Sequence, residues 1–200
     1  MPDNNDKHGN DTRRRPDRPD DDALLVARAQ GELPYRTAAY EALMRKYERL
    51  LYGVCLRLLH NPSDAEDVCQ DVMVKVFVSL QKFESRSSFK TWLMRIARNT
   101  CFSWQKKRHR SQEIGDEKID QSAPAIDSPR PHDEIYINQL LDTLPELDRE
   151  VLTLRYVADL SLQEIADICE ISLSAAKMRL YRATEKIQAQ AAPDIEDGED

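Results

Sequence analysis

A stripe of apolar residues with helical spacing, which begins at Tyr40, limits the fold of this chain more than any other feature. It continues for about five turns through Leu43, Met44, Tyr47, Leu50, Leu51, Val54, Cys55 and Leu58. Recurrence every three or four residues predicts an amphipathic α-helix. Only five glycines occur in 200 residues, which favours packed helices over a turn-rich β-protein. We therefore predict an all-α fold.

Two further helices are predicted in the N-terminal half. Asn61 and Pro62 end the first helix, and Ser63 followed by Glu66 predicts a capping box at the start of the next. The stripe of this second helix is Val68, Cys69, Val72, Val76 and Leu80. A polar stretch then precedes a third helix, whose stripe is Trp92, Leu93, Ile96, Ala97, Cys101 and Trp104. We predict one helical domain over residues 23–110.

The C-terminal half predicts a second, smaller helical domain over residues 135–189. Pro145 suits the first turn of a helix. Ser161 and Glu164 form another capping-box pattern, and Ser172 is the expected cap of a helix over about 174–188. Two short helices joined by a tight turn predict a helix-turn-helix.

The segments outside these domains are polar and rich in acidic residues. Residues 1–22 contain almost no apolar side chain, which predicts a disordered tail. Residues 111–134 lose helical periodicity and contain several prolines and acids, which predicts a flexible linker. Residues 190–200 carry five acids and no base, and we expect an acidic tail.

The charges are unevenly distributed along the chain. The net charge of −7 argues against a nucleic-acid partner when it is taken alone. Positions 90–110, however, hold seven Lys or Arg and no Asp or Glu. A run of one sign suits the phosphate backbone of a nucleic acid.

Within this basic run, some side chains are expected to face outward and others to belong to the core. Arg95, Arg98 and Asn99 lie off the apolar stripe, so we predict that they face outward as nucleic-acid ligands. Trp92 and Trp104 fall on the stripe with the core residues. We interpret these two rings as core rather than as stacking platforms.

The last predicted helix carries four basic residues, Lys177, Arg179, Arg182 and Lys186, against one acid, Glu185. This excess suits DNA binding by a helix-turn-helix. A solvated charged face would give the same pattern. The charges alone therefore leave both interpretations open.

Several classes of function are not expected. The sequence has no phosphate-binding glycine loop, no zinc-protease motif and no nucleophile elbow, so we predict neither an enzyme nor a catalytic residue. The four cysteines are far apart, which predicts reduced core thiols, no metal and no cofactor. No apolar run is long enough to cross a bilayer and no signal peptide is evident, so we expect a cytoplasmic protein without membrane insertion.

Three blocks of the sequence resemble the sigma-70 family, specifically its extracytoplasmic-function (ECF) type, in the family's order. DAEDVCQDVMVKVF at 64–77 is similar to the helix that binds the clamp of the largest polymerase subunit. FKTWLMRIARNTC at 89–101 is similar to the segment that melts the promoter and reads the −10 element. Residues 144–183 are similar to the domain that reads the −35 element.

The resemblance implies a DNA-binding subunit that directs core RNA polymerase to promoters. It implies contacts with the largest and second-largest polymerase subunits and with promoter DNA, and an anti-sigma factor is a further candidate partner. The family's central domain is missing here, in agreement with the predicted linker. One departure is Glu170, where the family often has Gly in the turn, so we expect a less favoured backbone conformation there.

The same resemblance assigns candidate site residues. Asp67, Gln70 and Asp71 match the positions that bind core polymerase. Asp71 also lies beyond the first helical turn, where a carboxylate no longer gains from the helix dipole, so a partner contact explains it better. For the −10 element the candidates are Glu84, Ser85, Arg86, Ser87, Ser88, Arg95, Arg98 and Asn99.

The candidates for the −35 element lie on the last helix: Lys177, Met178, Arg179, Tyr181 and Arg182. Spacing of four residues places Lys177 with Tyr181, and Met178 with Arg182, on one helical face. We assign base reading to Lys177 and Arg182. Arg179 points away from that face and is assigned to a phosphate, with a surface salt bridge as the alternative.

Two other functions remain possible from the residues alone. A transcription regulator that binds its operator by itself would also need the helix-turn-helix and a basic helix, but it would not explain the 64–77 block. An interaction protein could use its charged helices only to bind a partner. Binding to core polymerase would distinguish these functions from the sigma-factor interpretation.

Overall fold

The computed structural model describes residues 19–114 and 139–191, and these are helical with short connections. The N-terminal domain consists of α1 (Pro19–Glu32), α2 (Ala38–Leu59), α3 (Pro62–Ser79) and α4 (Phe89–Ile114). A 3₁₀ turn, Leu80–Lys82, follows α3. The C-terminal domain consists of α5 (Glu146–Tyr156), α6 (Leu162–Cys169) and α7 (Leu173–Ala191), preceded by a helical segment at 139–142. The predicted all-α class is confirmed.

The start of α3 differs from the predicted capping box. The Asn61 side chain accepts a hydrogen bond from the backbone N–H of Asp64, and Pro62 occupies the first helical position. The helix therefore begins before Ser63, which cannot act as the cap. The prediction that Ser63 and Glu66 start this helix was wrong, because the preceding Asn-Pro pair already supplies the cap.

The caps of the C-terminal helices follow the prediction more closely. Ser161 and Glu164 form a complete capping box at the start of α6. The Ser172 hydroxyl accepts a hydrogen bond from the backbone N–H of Ala175 at the start of α7. Glu170, in the turn between them, has a left-handed backbone with φ of 58°. The unfavoured conformation predicted for this non-glycine residue is confirmed.

One continuous core joins the two domains. Helix α2 lies against α1, α3 and α4, and the C-terminal helices α5 and α6 pack onto α2 and α4. Buried side chains from both domains, such as Leu51, Leu93, Leu154 and Ile165, belong to the same apolar cluster. The four cysteines are free thiols buried in this core, as the sequence predicts.

The ends of the helices differ from the predicted segment bounds by a few residues. Helix α1 begins at Pro19, inside the predicted 1–22 tail, and α4 continues to Ile114, past residue 110. Most of the predicted linker, the rest of the N-terminal tail and most of the acidic C-terminal tail lie outside the described residues. Within the described ranges, none of the helices has the length and apolar character that crossing a membrane requires.

Candidate nucleic-acid interface

Residues 84–88 form an exposed loop between two buried aromatic rings. Phe83 and Phe89 flank the loop, and their ring centroids are 6.1 Å apart. Trp92 packs on the same cluster, with its centroid 4.7 Å from that of Phe83. Because both ends are fixed in the core, the 84–88 loop is held on the surface with all five of its residues exposed. The prediction that Trp92 is a core residue agrees with this packing.

The loop has a specific local geometry. Ser85 adopts a left-handed backbone with φ of 56°, which is uncommon for a residue other than glycine. Glu84 and Arg86 form an ion pair at 2.6 Å across it. The Ser88 hydroxyl accepts a hydrogen bond of 3.1 Å from the backbone N–H of Thr91 and so caps the start of α4. The loop thus presents hydroxyls and charges beside a helix N-terminus.

An open pocket of about 500 Å³ lies beside the loop. Helix α1 and helix α2 form one side of it and the loop forms the other. Its lining includes Asp22, Val26, Lys46, Tyr47, Ser85 and Ser87. This volume lies within the range typical of small-molecule sites, and the lining combines apolar walls with hydrogen-bonding groups.

The three polar residues predicted to face outward from α4 do not share one environment. Arg95 and Asn99 are exposed. Arg98 instead points into the contact between the domains, where its side chain is only 17% exposed and its Nε donates to Glu150 Oε1 at 2.7 Å. The prediction that Arg98 faces outward was wrong, because its partner comes from a helix 52 residues later in the chain.

Three further hydrogen bonds join α4 to the C-terminal domain. Thr91 donates to Glu164 at 2.5 Å. Lys90 and Arg95 donate to backbone carbonyl oxygens, those of Asp159 and Asp167, each at 3.3 Å. The basic start of α4 is therefore partly covered by acceptors of the other domain.

The ionised form of Glu164 is favoured at this contact. Burial raises the pKa of its carboxyl, but hydrogen bonds from Thr91 and Ser161 together outweigh burial and lower the pKa below its ordinary value. Glu164 therefore serves two purposes, as the capping-box residue of α6 and as an acceptor for α4.

Glu150 is the most enclosed charged group of the contact. It is completely buried, and besides Arg98 its Oε1 accepts from the Cys169 thiol at 3.2 Å. Burial, followed by the adjacent Glu150 carboxylate, raises the pKa of the Cys169 thiol. The second Glu150 oxygen, Oε2, has no protein hydrogen-bond partner within the described residues. The carboxylate therefore depends on Arg98 for its neutralisation.

The exposed face of α7 contains the predicted recognition residues. Lys177, Met178, Tyr181 and Arg182 are all exposed, with Met178 at 59% and Tyr181 at 64%. Ala176 and Ala183 face the opposite way and are buried. Large apolar groups exposed next to cations suit contact with another molecule.

Arg179 forms an ion pair, but with a buried acid of α5 and not at the surface, where the sequence placed the alternative salt bridge. Its Nη1 donates to Asp148 Oδ1 at 2.7 Å, and Asp148 is only 5% exposed. Arg182 lies 3.5 Å from the same carboxylate oxygen, but its side chain is 56% exposed. Asp148 thus ties α7 to α5 on the buried side of the predicted recognition helix.

Sequence reasoning missed both buried acids of α5. Asp148 lies in the first turn of α5, where carboxylates are ordinarily favoured by the helix dipole, and Glu150 lies just beyond that turn. Nothing in the local sequence marks either acid as buried. Their arginine partners are distant in sequence, so only the tertiary structure reveals these ion pairs.

A separate exposed face lies on α3. Asp67, Gln70 and Asp71 are exposed and lie within about one helical turn of each other. Val74 and Val78 continue the same face and are 63% and 71% exposed. Two exposed valines beside these polar groups were not predicted, and they give the face the mixed character of an interface.

Among the residues that the structure describes, no group of His, Cys, Asp or Glu could hold a metal ion.

Family models match both domains of the chain. The model of sigma-70 region 2 matches residues 43–111. The model of sigma-70 region 4 matches residues 134–187. The first match covers α3, the 84–88 loop and most of α2 and α4, and the second covers α5, α6 and most of α7.

Curated relatives are similar over most of their length. The RNA polymerase sigma-H factor of Pseudomonas aeruginosa is 31% identical over 168 residues, which span 78% of this chain and 87% of that protein. The ECF RNA polymerase sigma factor SigW of Bacillus subtilis is 28% identical, over 76% of this chain and 88% of that protein. The ECF RNA polymerase sigma-E factor of Haemophilus influenzae is 28% identical, over 86% of this chain and 96% of that protein.

Solved structures with the same fold include two complexes. The sigma factor RpoE of Bartonella quintana, solved with the anti-sigma factor NepR, has a TM-score of 0.67 and 25% identity, over 78% of this chain and 98% of that one. CnrH, solved with the cytosolic domain of CnrY, has a TM-score of 0.64 and 23% identity, over 86% of this chain and 97% of that one.

Proposed function

Since the chain belongs to the sigma-70 family and is an RNA polymerase sigma factor of the ECF type, we propose that three of its surfaces bind core polymerase, the −10 element and the −35 element. The observation that carries this proposal is the match to region 2 and region 4 in one chain and in that order. A regulator that binds an operator by itself would need the second match but not the first. The protein initiates transcription with the polymerase and catalyses no step of its own.

The exposed face of α3 is the proposed surface for core polymerase. Asp67, Gln70 and Asp71 supply charge and hydrogen bonds, and Val74 and Val78 supply apolar area. Exposed valines gain from being covered, at about 25 cal/mol per Å² of apolar surface. We assign this face to the clamp of the largest polymerase subunit, while the second-largest subunit contacts other parts of the chain.

The 84–88 loop and the adjacent part of α4 are the proposed surface for the −10 element. Strand opening exposes bases, and a flipped base needs a pocket with donors and acceptors. The pocket beside the loop offers the Ser85 and Ser87 hydroxyls against apolar walls. Asn99, exposed on α4, offers both a donor and an acceptor for a neighbouring base, and Arg95 offers charge for the phosphates.

Promoter binding through Arg98 requires the two domains to separate. Arg98 is bound to the buried Glu150, and the contact around it also involves Lys90 and Arg95. In this closed arrangement the C-terminal domain competes with DNA for the basic side of α4. We therefore place Arg98 at the −10 element only in the open form of the protein.

The exposed face of α7 is the proposed surface for the −35 element. Lys177 and Arg182 are assigned to base edges in the major groove, with Met178 and Tyr181 beside them. For Arg179 the ion pair with Asp148 favours a positioning role, in which it fixes α7 on α5. A phosphate contact by Arg179 would need this pair to open.

The partners and location follow from this function. Core RNA polymerase and promoter DNA are the required partners, and they place the protein in the cytoplasm. Both solved structures described above are complexes, one with the anti-sigma factor NepR and one with the cytosolic domain of CnrY. An anti-sigma factor is therefore the proposed regulatory partner.

Affinity capture with bare core polymerase tests the proposal against its alternatives. The sigma function predicts a stable complex of the chain with core enzyme in the absence of DNA. A stand-alone regulator would bind a specific duplex but would not be retained by core enzyme. Retention of the duplex without retention of the polymerase would overturn the proposal.

A further inference from the structure

Gln30, on α1, lies against the turn that leads into the 84–88 loop. Its Nε2 donates to the carbonyl oxygen of Leu80 at 2.9 Å and to that of Phe83 at 2.8 Å. A side-chain amide nitrogen has two hydrogens, so one group can make both bonds. A single side chain, that of Gln30, thus binds the carbonyls at both ends of the segment from Leu80 to Phe83.

These two carbonyl oxygens lie where the helical hydrogen-bond pattern ends. Leu80 begins the 3₁₀ turn after α3, and Phe83 is the residue immediately before Glu84 of the loop. Carbonyls at a helix C-terminus need partners from outside the helix, and the Leu80 oxygen accepts from the backbone N–H of Phe83 at 3.0 Å as well as from Gln30. Phe83 is held both by its buried ring and by the bond from Gln30, so the two contacts together set the direction in which the chain enters the loop.

A reciprocal bond strengthens the connection. Gln81, in the same turn, donates from Nε2 to the carbonyl oxygen of Leu33 at 2.9 Å, just after α1 ends. The end of α1 and the turn are therefore tied by donors from both sides. Helix α1 also forms part of the pocket beside the loop, through Asp22 and Val26.

We infer that Gln30 is a positioning residue for −10 recognition, which sets the entry of the 84–88 loop through its two hydrogen bonds. This inference rests on the proposed role of the loop. Gln30 lies before residue 43, where the match to region 2 begins. It contacts the turn, so its effect on DNA must pass through the loop.

The test compares promoters that differ only in the −10 element with promoters that differ only in the −35 element. Gln30→Met keeps the length of the side chain and removes both donors. Transcription with core enzyme should then lose about three- to tenfold in its preference among −10 variants, as expected for one or two lost hydrogen bonds. The preference among −35 variants and the affinity for core enzyme should not change.

Matched variants separate a positioning effect from general damage. Gln30→Lys restores a donor of similar length and should recover most of the −10 preference. Arg28→Ala, which removes an exposed pair with Glu32 on the same helix, should leave the preference unchanged. If Gln30→Met is poorly folded, Gln81→Ala breaks only the reciprocal bond and should shift the −10 preference in the same direction.

The outcomes distinguish this inference from the function on which it depends. If Arg86→Ala in the loop alters the −10 preference while Gln30→Met and Gln81→Ala do not, the loop assignment stands and the role of Gln30 is overturned. If none of these variants alters it, both the loop assignment and the inference are wrong. If Gln30→Met lowers the −10 and −35 preferences equally, Gln30 is only structural and the inference is also overturned.

Discussion

Arg98 and Glu150 form a buried ion pair between the two domains, with Arg98 Nε 2.7 Å from Glu150 Oε1. Arg98 belongs to the basic segment of α4, and Glu150 belongs to α5 of the C-terminal domain. Each side chain neutralises the other in a place that water scarcely reaches, since their exposed fractions are 17% and 0%. The pair therefore stabilises the contact between the two domains and, by the same contact, keeps the basic side of α4 partly covered.

Removing one partner of this pair should cost more than removing both. Arg98→Met leaves the Glu150 carboxylate buried without a counter-charge, at a cost of about 3–5 kcal/mol. The double variant with Glu150→Leu leaves no buried charge and should be less destabilised than Arg98→Met alone. Denaturant unfolding of the wild type, Arg98→Met, Glu150→Leu and the double variant measures the coupling free energy between the two side chains. Simple additivity of the two single changes would contradict the interpretation.

The same pair permits a test of domain separation. Glu150→Gln weakens the hold on Arg98 while keeping the shape of the side chain. The isolated protein should then bind a single-stranded −10 oligonucleotide more tightly than the wild type does, because α4 is released. Unchanged or weaker binding, with the fold intact by circular dichroism, would count against competition between the C-terminal domain and DNA.

Reversal of one charge on α3 should weaken the complex with core polymerase. Asp71→Lys places a cation in the face formed with Gln70 and Val74, and Asp71 is exposed, so the helix should tolerate the change. The expected result is a lower affinity in titration against core enzyme with unchanged helix content. Asp21→Lys, the same charge change at an exposed position of α1, is the control. Equal affinity of all three proteins would refute the assignment of this face.

Much of this architecture is predictable from local sequence. The apolar stripes predict the helices, Ser161 with Glu164 predicts the cap of α6, and Glu170 marks the strained turn. The spacing of Lys177 and Tyr181 predicts their shared exposed face. These features depend on residues within one or two turns of each other, where periodicity and capping preferences are informative.

Most of the features that were missed depend on distant partners. Arg98 lies off the apolar stripe of its own helix, so its burial follows only from Glu150 on another helix. The pair of Arg179 with Asp148 is likewise invisible in the local sequence. At α3 the failure was local, since Asn61 and Pro62 supplied a better helix start than Ser63 did. Tertiary pairing therefore limits what the sequence can predict about the candidate site.

Loss of the Asn99 amide should impair strand opening more than initial duplex binding. Asn99 is exposed on α4, lines a surface groove with Val74 and Val78 of α3, and offers both a donor and an acceptor. Asn99→Ala should reduce permanganate reactivity of the −10 region in the polymerase complex, while gel shifts of the closed complex change little. An equal loss at both steps would remove the specific role of Asn99 in opening.

Lys177 and Arg179 should respond differently to substitution. Lys177→Ala should relax the preference at one or two −35 positions, since a good base contact contributes about 1–3 kcal/mol of discrimination. Arg179→Ala removes the bond to the buried Asp148, so it should lower the free energy of unfolding by about 1.5–3 kcal/mol and weaken all −35 variants uniformly. A transcription series on −35 variants, with thermal unfolding in parallel, measures both. If neither substitution alters promoter ranking or promoter strength, α7 is not the recognition helix.

Transcription by purified core polymerase on fragmented genomic DNA, with and without the chain, tests the central claim most directly. The start sites are read by sequencing the transcripts. If the chain is a sigma factor of this family, a set of start sites should appear only when the chain is added. These start sites should share sequence elements near −10 and −35. If the chain is folded and binds core enzyme but the start sites match those of core enzyme alone, the assignment of promoter-directing function is contradicted.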